Sequence, residues 1–211
     1  MLSVRPHCHV VVFARAPQVG AVKRRLAAKV GDYAAWRFYR RESDRLISEL
    51  CRVPSFDLSV AVTPDSLARS NRFWPPGVSC IPQGHGDLGA RMSRAIMAHA
   101  PEPVVVIGSD IPGLTAAHVV SAFDALDDHE AVIGPAHDGG YWLIGMRQRP
   151  GSTGLWRPGL FRNIRWSSPH ALEDTIQSFP RAWRVAKLDT LRDIDTKADF
   201  DALGGRRLLG R

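Results

Sequence analysis

The sequence has few cysteines and no long apolar run. Its three cysteines, Cys8, Cys51 and Cys80, are odd in number and widely spaced, a pattern typical neither of a disulfide framework nor of a zinc site. We interpret them as buried thiols in a reducing compartment. No apolar stretch approaches the roughly 20 residues that a membrane-spanning helix requires, and residues 1–9 contain no apolar core of a signal peptide. The sequence therefore predicts a cytoplasmic protein.

The sequence also lacks a run of basic residues, although it is basic overall. It has 28 Lys and Arg against 21 Asp and Glu, which gives a formal net charge of +7. Solvated surface cations explain much of this excess, and no pattern of basic and aromatic residues matches a nucleic-acid-binding module. We therefore expect a small phosphorylated ligand and no nucleic-acid partner. Binding of nucleic acid through charge alone is the alternative.

Short apolar runs alternate with amphipathic stretches along nearly the whole chain. The apolar runs predict strands, and the amphipathic stretches predict helices. The predicted strands are 9–14, 58–62, 79–81, 104–108, 131–133 and 142–144, and the predicted helices are 22–29, 33–51, 88–99, 115–126, 169–177 and 196–203. This alternation favours an α/β fold with a mostly parallel central sheet between two layers of helices. We expect a single domain over residues 1–211, with its ligand site beyond the carboxyl ends of the strands.

The loop after the first predicted strand is rich in basic residues. Arg15 and Gly20 lie in this loop, and Lys23 and Arg25 lie in the first turns of the predicted helix. Cations at a helix N-terminus oppose the helix dipole unless an anion sits among them, so the segment predicts a phosphate-binding site. A basic helix face in water is the alternative. The segment lacks the spacing of a Walker A loop and of a dinucleotide-binding fingerprint.

An aspartate directly follows the clearest buried strand. Ser109 and Asp110 come after the run 104–108, at the edge of the sheet where ligands bind. A carboxylate in this position can hold Mg²⁺ or Mn²⁺ against substrate phosphates. A turn or helix cap formed by Asp110 is the alternative. Asp195, before the last predicted helix, is either a helix cap or a second metal carboxylate, and Asp193 competes with it for the second role.

A second loop carries an aspartate followed by two glycines. We predict that Gly139, Gly140 and Tyr141 form a substrate loop, because glycine lets a backbone approach a ligand closely. Asp138 is a candidate for orienting the acceptor or for acting as a general base. Asp-Gly is also a strong hairpin signal, and both interpretations can hold together.

A third loop, residues 84–92, contains three glycines. Asp87 and Arg91 lie one helical turn apart in it, and Gln83 precedes it. The functional interpretation is a loop wrapped around a base, sugar or acceptor, which places Gln83, Asp87 and Arg91 among the nucleotide-binding candidates. The alternative is an ion pair between Asp87 and Arg91 on the helix surface.

Six motifs spread over nearly the whole chain carry a resemblance to a known family. They are Phe13-Ala-Arg15-Ala-Pro17-x-x-Gly20-x-Val22-Lys23-x-Arg25-Leu26, Gly86-Asp87-Leu88-Gly89-x-Arg91-Met92, Ile107-Gly108-Ser109-Asp110-x-Pro112, Gly134-Pro135-Ala136-x-Asp138-Gly139-Gly140-Tyr141-x-Leu143-Ile144-Gly145, Phe161-Arg-Asn-Ile164-Arg-Trp166-Ser167 and Asp193-Ile-Asp195-Thr196. Together they resemble the DUF2064, glycosyltransferase-A-like group of bacterial transferases in the nucleotide-diphospho-sugar transferase superfamily. The chain departs from the family where Lys23-Arg24-Arg25 replaces the usual Lys-Thr-Arg, and the outer two cations are kept.

The resemblance implies a single Rossmann-like, three-layer domain with a divalent-metal site. By the resemblance, Asp110 holds Mg²⁺ or Mn²⁺, Asp195 supplies a second carboxylate, and Arg15, Lys23 and Arg25 hold the donor phosphates. The chain is also similar, more distantly, to 2-phospholactate guanylyltransferases, which share its Lys-x-Arg-Leu opening.

The sequence therefore predicts a metal-dependent transferase with Asp110, Asp138 and Lys23 as its catalytic residues. The family naming favours a glycosyltransferase that uses a nucleotide-sugar donor. Lys23 and Arg25 favour a nucleotidyltransferase that uses a nucleoside triphosphate and releases pyrophosphate. A nucleotide-binding protein that has lost catalysis is the third alternative. The expected partners are a nucleotide or nucleotide-sugar donor and a small-molecule acceptor, and a homodimer is left open.

Overall fold

The computed structural model describes residues 7–147 and 159–192, which form one central sheet flanked by helices. The strands are β1 His9–Arg15, β2 Asp57–Thr63, β3 Ser79–Pro82, β4 Val104–Gly108, β5 Ala131–Pro135, β6 Tyr141–Met146 and β7 Val185–Lys187. The helices are α1 Arg24–Val30, α2 Asp32–Leu50, α3 Leu88–Met97, α4 Ala116–Leu126 and α5 Ala171–Gln177, with short 3-10 helices at Asp65–Leu67 and Asn71–Phe73.

The sheet has the strand order β3-β2-β1-β4-β6-β5-β7 and is mostly parallel. β6 is antiparallel to both of its neighbours, β4 and β5, whereas every other neighbouring pair is parallel. The other strands therefore all run in one direction. The carboxyl ends of these strands and the beginning of β6 lie along the same edge of the sheet, which we call the ligand edge.

Helices cover both faces of the sheet, because side chains alternate between the two faces along each strand. One face packs on α2 and α4 through Val10, Val12, Leu46, Leu50 and Leu126. The opposite face packs on α3 and α5 through Val11, Met92, Ile96 and Ala171. This three-layer arrangement confirms the predicted α/β fold class.

The structure differs from the sequence predictions at a few elements. α1 begins at Arg24, two residues later than predicted, because Lys23 adopts a left-handed conformation (φ 45°, ψ 47°) and stands as its N-cap. The predictions missed β7, whose three residues pair with β5 but form no clear apolar run. The predicted helix 196–203 lies outside the described residues.

The cysteines and the helices also bear on the first sequence predictions. Cys8 and Cys80 are partly buried and Cys51 is exposed, so the prediction of three buried thiols is wrong. Within residues 7–147 and 159–192, no helix is both long and apolar enough to cross a membrane.

A pair of stacked histidines lies at the start of β1, away from the ligand edge. His9 is buried, and its ring centroid lies 3.4 Å from that of His99 with the planes inclined at 15°. The His9 Nε2 atom lies 3.1 Å from the Ser59 hydroxyl oxygen. Burial, and then repulsion from His99, lowers the pKa of His9 to about 4. Burial also lowers the pKa of His99.

The turn between β5 and β6 packs against the start of α5 at a glycine. Gly139 has a φ of +84°, and a Cβ atom added there would overlap the backbone of Pro169. The Leu172 N–H donates to the Gly139 carbonyl at 3.0 Å. Gly113 has nearly the same conformation, with a φ of +82°, but an added Cβ atom there would meet nothing within 4 Å.

We predict that acid weakens the fold through His9. An unfolded His9 has a pKa of about 6.5, above its folded value, so the unfolded chain gains the proton first as the pH falls. The free energy of unfolding should decrease between about pH 6.5 and pH 4, by up to about 3 kcal/mol from this residue. Urea unfolding of wild type and His9→Asn across this range tests it. His9→Asn should reduce the pH dependence of the free energy of unfolding, whereas the control His85→Asn, at an exposed histidine, should not. Equal pH dependences in all three proteins contradict the prediction.

We also predict that Gly139→Ala destabilises the fold more than Gly113→Ala. Both changes force alanine into a left-handed conformation, at a cost of about 1 kcal/mol. Only Gly139→Ala adds a clash with backbone, which brings a further cost of about 1–3 kcal/mol. Denaturant unfolding measures both. Equal losses in the two variants would show that the packing of Gly139 on Pro169 contributes nothing to stability.

Candidate functional site

Most of the predicted site residues that the structure describes lie along the ligand edge. Arg15 ends β1, Gln83 follows β3, Asp110 follows β4, and Asp138 lies in the turn before Tyr141 begins β6. Parallel strands bring the residues at their carboxyl ends together although they are far apart in sequence. The edge contains two neighbouring cavities.

The first cavity, which we call the β1/β4 cavity, has a volume of about 270 Å³. Its lining residues are Phe13, Ala14, Arg15, Val22, Lys23, Tyr39, Gln83, Leu88, Ser109 and Asp110. The structure therefore brings together Arg15, Lys23, Gln83 and Ser109 from the predicted nucleotide-binding set, and places the predicted metal ligand Asp110 beside them. The remaining described members of that set, Gly20, Arg25, Asp87 and Arg91, are not part of its wall.

An ion pair between Lys23 and Asp110 dominates the β1/β4 cavity. The Lys23 Nζ atom lies 2.8 Å from the Asp110 Oδ2 atom, and the two side chains are 8% and 24% exposed. A lysine at the N-cap of α1 opposes the helix dipole, and its left-handed backbone is costly for a residue with a side chain. The Asp110 carboxylate offsets the unfavourable charge. Lys23 therefore occupies this position although its charge and its backbone conformation are both locally unfavourable.

Tyr39 of α2 connects the end of β1 with the loop after β4, the two segments that lead to Lys23 and Asp110. Its hydroxyl accepts a hydrogen bond from the Arg15 N–H and donates one to the Arg15 carbonyl, both at 2.8 Å. Because its single proton is used there, the Ser109 hydroxyl donates the third bond, at 3.0 Å. Burial, and then the negative charge of Asp110, raises the pKa of Tyr39 to about 12. The phenol therefore stays neutral and fixes β1 against the Ser109-Asp110 loop.

Tyr39 was not among the predicted site residues, because it lies inside the amphipathic stretch 33–51 that predicted α2. A tyrosine at helical spacing is more often part of the core, and nothing in its neighbourhood distinguishes it in sequence. The one available signal is that a buried phenol needs a hydrogen-bond partner.

Gln83 lines the β1/β4 cavity but uses its amide protons on the backbone. Its Nε2 atom donates to the Ala61 carbonyl at 2.9 Å and to the Ala14 carbonyl at 3.2 Å. Its Oε1 atom accepts from Arg91 at 3.4 Å. This geometry makes Gln83 a tie between β1 and β2, and leaves its side chain little capacity for a ligand.

The ion pair between Asp87 and Arg91, the alternative interpretation of this loop, is absent from the described structure. Asp87 is the N-cap of α3, where it accepts from the Ala90 N–H at 2.8 Å and from the Trp166 Nε1–H at 3.3 Å. Arg91 donates to the Gly86 carbonyl at 3.0 Å. These two side chains therefore shape the loop 84–87 and the position of Trp166.

The second cavity, which we call the hairpin cavity, has a volume of about 200 Å³. Its lining residues are Leu88, Ile111, Ala136, Asp138, Gly140, Tyr141, Trp166, Ser167, Ser168 and Ala171. Leu88 belongs to both cavities, and Ile111 directly follows Asp110, so the two cavities adjoin. The predicted substrate-loop residues Gly140 and Tyr141 line this cavity, whereas Gly139 packs on Pro169 behind it.

Asp138 and Tyr141 are the ionisable residues of the hairpin wall. The Asp138 Oδ1 atom accepts from the Gly140 N–H at 2.8 Å, which holds the exposed carboxylate in place. The Tyr141 hydroxyl donates to the Met92 sulfur, at 3.8 Å, and lies 3.4 Å from Thr175 Oγ1. Burial raises the pKa of Tyr141 well above its ordinary value, so the phenol is neutral.

The metal prediction concerns Asp110 and a second aspartate, Asp195 or Asp193, and the structure describes Asp110. Asp110 lines the β1/β4 cavity, whereas Asp193 and Asp195 lie outside the described residues. The described ranges contain no group of three or more His, Cys, Asp or Glu that could hold a metal ion. They therefore provide no all-protein metal cage, and the carboxylate at the edge of β4 is the described candidate ligand.

Solved structures and a family model match this chain. A candidate nucleotide-diphospho-sugar transferase from Desulfovibrio desulfuricans G20 is 32% identical, with a TM-score of 0.83 over 93% of this chain and 85% of that chain. 4-Diphosphocytidyl-2C-methyl-D-erythritol synthase from Anaerococcus prevotii DSM 20548 is 10% identical, with a TM-score of 0.57 over 96% and 98%. Rv0371C from Mycobacterium tuberculosis H37Rv, solved in complex with manganese, is 16% identical, with a TM-score of 0.51 over 98% and 100%.

The last two similarities, at such low identity, show a shared fold. No curated protein matches the chain. Residues 46–168, which include Asp110 and Asp138, match the family model described as "uncharacterized protein conserved in bacteria (DUF2064)". This match covers more than half of the 211 residues, and the chain therefore belongs to the DUF2064 family.

Proposed function

We propose that this protein is a divalent-metal-dependent transferase that binds the phosphates of a nucleotide-sugar donor in the β1/β4 cavity. The observation that carries this proposal is the ion pair between Lys23 and Asp110, 2.8 Å apart, at the ligand edge. A polyphosphate bridged by a cation needs one carboxylate for the metal and one ammonium for the phosphate oxygens. Lys23 and Asp110 supply this combination in one cavity. The name of the relative at 32% identity, a candidate nucleotide-diphospho-sugar transferase, agrees with it.

The donor set at this edge fits Mg²⁺ or Mn²⁺ better than a metal enclosed by protein. Mg²⁺ usually keeps several waters and binds one or two carboxylates together with substrate phosphates. Asp110 can act as such a ligand, and Asp195 is our candidate for the second. When bound, the cation would neutralise charge on the donor phosphates and so make the nucleotide a better leaving group.

The side chains of the protein then have separate roles. Lys23 pairs with phosphate oxygens and stabilises the negative charge that develops on the leaving nucleotide. Arg15, exposed at the end of β1, adds a second cation at the mouth of the cavity. Tyr39 is a positioning residue, because its hydroxyl holds the Arg15 backbone against Ser109. Asp138 faces the neighbouring cavity, where it can accept a proton from an acceptor.

A nucleotidyltransferase is the second candidate function, and Lys23 is the observation that favours it. An ammonium in the loop between β1 and α1 can stabilise a transferring phosphoryl group as well as a leaving diphosphate. Both candidates share the donor cavity and differ in which bond breaks. A protein that binds nucleotide without catalysis would form neither product. Cytoplasmic location and a homodimer stay predictions.

We predict that nucleotides stabilise the fold in a metal-dependent way through Asp110. A ligand at 100 times its dissociation constant raises the free energy of unfolding by about 2.7 kcal/mol, or about 5–10 °C in Tm for a chain of this size. Thermal unfolding with nucleoside diphosphates, triphosphates and nucleotide sugars, each with and without Mg²⁺ or Mn²⁺, measures this shift. Asp110→Asn should remove the metal-dependent part, whereas the surface control Asp127→Asn should keep it. An unchanged metal-dependent shift in Asp110→Asn contradicts the role given to Asp110.

We predict that catalysis releases a free nucleoside diphosphate from a nucleotide sugar. Chromatography of reactions with panels of nucleotide sugars and nucleoside triphosphates separates the candidates, because nucleotidyl transfer releases pyrophosphate. Lys23→Gly relieves the left-handed backbone while removing the ammonium, so it should lower kcat by about 100-fold or more without destabilising α1. Pyrophosphate as the product would support the second candidate, and the absence of both products would favour a non-catalytic nucleotide-binding protein.

A further inference from the structure

The hairpin cavity adjoins the β1/β4 cavity and differs from it in charge. Leu88 separates the two cavities, and the chain passes from one to the other between Asp110 and Ile111. Building on the proposed function, we propose that the hairpin cavity binds the acceptor, and that this acceptor is an uncharged compound with a free hydroxyl and an apolar face, such as a sugar or polyol, and not a phosphate ester.

The charge of the wall carries the first part of this inference. Asp138 is the acidic residue among the described lining residues, and none of them is a lysine or an arginine. Tyr141, the other ionisable group, is neutral. A phosphate ester brings nearly two negative charges at neutral pH, and placing them beside the Asp138 carboxylate, with no cation among the lining residues, is unfavourable. An acceptor with hydroxyl groups meets no such penalty.

A nearby arginine is committed to another partner. Arg165 lies next to Trp166, and its guanidinium donates to both carboxylate oxygens of Asp174, at 2.9 and 2.8 Å. The Arg165 N–H donates to Asp174 as well, at 3.0 Å. This bidentate pair holds the strap of residues 161–168 on α5. The strap therefore delivers an aromatic ring and hydroxyl groups to the cavity, and no free positive charge from Arg165.

Trp166 gives the cavity a fixed aromatic wall. Its Nε1–H donates to the Asp87 carboxylate at 3.3 Å. Its ring also lies so close to α3 that a Cβ atom at Gly89 would come within 2.9 Å of Cζ2. The glycine therefore permits the approach, and the N-cap of α3 sets the orientation of the ring. An aromatic face held rigidly at a cavity wall suits the C–H face of a sugar ring, with polar groups nearby to select its hydroxyls.

Ser167 carries a backbone conformation that the surroundings must enforce. Its φ is 58°, and Phe161 and Asn163 in the same strap also have a φ of 58°. Non-glycine residues in this region are costly, and they concentrate where a side chain must be aimed at a ligand. At Ser167 the result is a hydroxyl in the wall of the hairpin cavity, directly after the Trp166 ring.

The group transfer balances with the residues in these positions. The acceptor hydroxyl oxygen forms a bond to the sugar carbon of the donor, and the bond from that carbon to the phosphate oxygen breaks. The nucleoside diphosphate leaves with the bonding electron pair. The acceptor proton passes to the Oδ2 atom of Asp138, whose Oδ1 atom is held by the Gly140 N–H.

Binding of paired neutral and phosphorylated probes to the full-length protein tests the acceptor class. The pairs are methyl β-glucoside with glucose 6-phosphate, glycerol with glycerol 3-phosphate, and myo-inositol with inositol 1-phosphate. Saturation-transfer NMR, with Mn²⁺ replaced by diamagnetic Mg²⁺ and with the nucleotide that gives the largest thermal shift, measures each dissociation constant. We expect at least one neutral probe to bind ten-fold or more tightly than its phosphorylated partner.

Variants on the full-length protein locate that binding. Trp166→Ala should weaken the neutral probe ten-fold or more, Trp166→Phe should weaken it less, and Trp183→Phe, at a tryptophan outside the cavity, should leave it unchanged. Asp138→Asn should reduce the ratio between the dissociation constants of the phosphorylated and neutral probes, and should lower kcat about 100-fold. Tighter binding of the phosphorylated probes, binding of no neutral probe, or insensitivity to Trp166→Ala overturns the acceptor assignment.

The same samples separate this inference from the proposed function. If nucleotides still raise Tm in a metal-dependent way but the neutral probes do not bind as expected, only the acceptor assignment is wrong. If that increase in Tm is itself absent, the donor site proposed at Lys23 and Asp110 is wrong.

Discussion

The ion pair between Lys23 and Asp110 is the constraint on which the rest of the site depends. Lys23 opposes the dipole of α1 and adopts a left-handed backbone, and its ammonium is almost fully removed from water. Each of these features is unfavourable alone, and the Asp110 carboxylate at 2.8 Å is the described compensation. An anion entering the cavity would relieve the same charge. The strand order makes the pair possible, because β1 and β4 are neighbours although their sequences are far apart.

The two adjoining cavities differ in the charge of their walls. The β1/β4 cavity has Arg15 and Lys23 in its wall beside one carboxylate, whereas the charged side chain described in the hairpin wall is Asp138. The proposed polyphosphate donor suits the charge of the first cavity, and the proposed neutral acceptor suits that of the second. Leu88 lies between them, so the two ligands would meet over an apolar side chain. Division of charge in this way favours a reaction between two different molecules over binding of one elongated anion.

Much of the fold was predictable because parallel strands buried on both faces leave a strong sequence signal. The runs that became β1, β2 and β4 are apolar almost throughout, and the predicted helix 115–126 matches α4 to within one residue. β7 was missed because pairing with β5, and not its own composition, makes it a strand.

The site was predictable where chemistry coincides with the end of a strand. This rule brought Arg15 and Asp110 into one cavity, and it found the turn that carries Asp138. It could not reveal Tyr39, which reaches the edge from the middle of α2, or the aromatic wall formed by Trp166. The glycine-rich loop suggested a ligand for Gln83 and Asp87, whereas their partners in the described structure are backbone groups, Arg91 and Trp166. These hydrogen-bond partners are determined by tertiary contacts, which leave no local pattern in the sequence.

β6 runs in the reverse direction, so the two cavities can change independently of each other during evolution. Because β6 starts at the ligand edge, a short turn delivers Asp138 and Tyr141 there without a crossover helix. Substitutions or insertions in that turn would remodel the hairpin cavity and leave β1, β4 and their ion pair in place. The two cavities are thus built from separable parts of the sheet, because the turn before β6 shapes one and the parallel pair of β1 and β4 shapes the other.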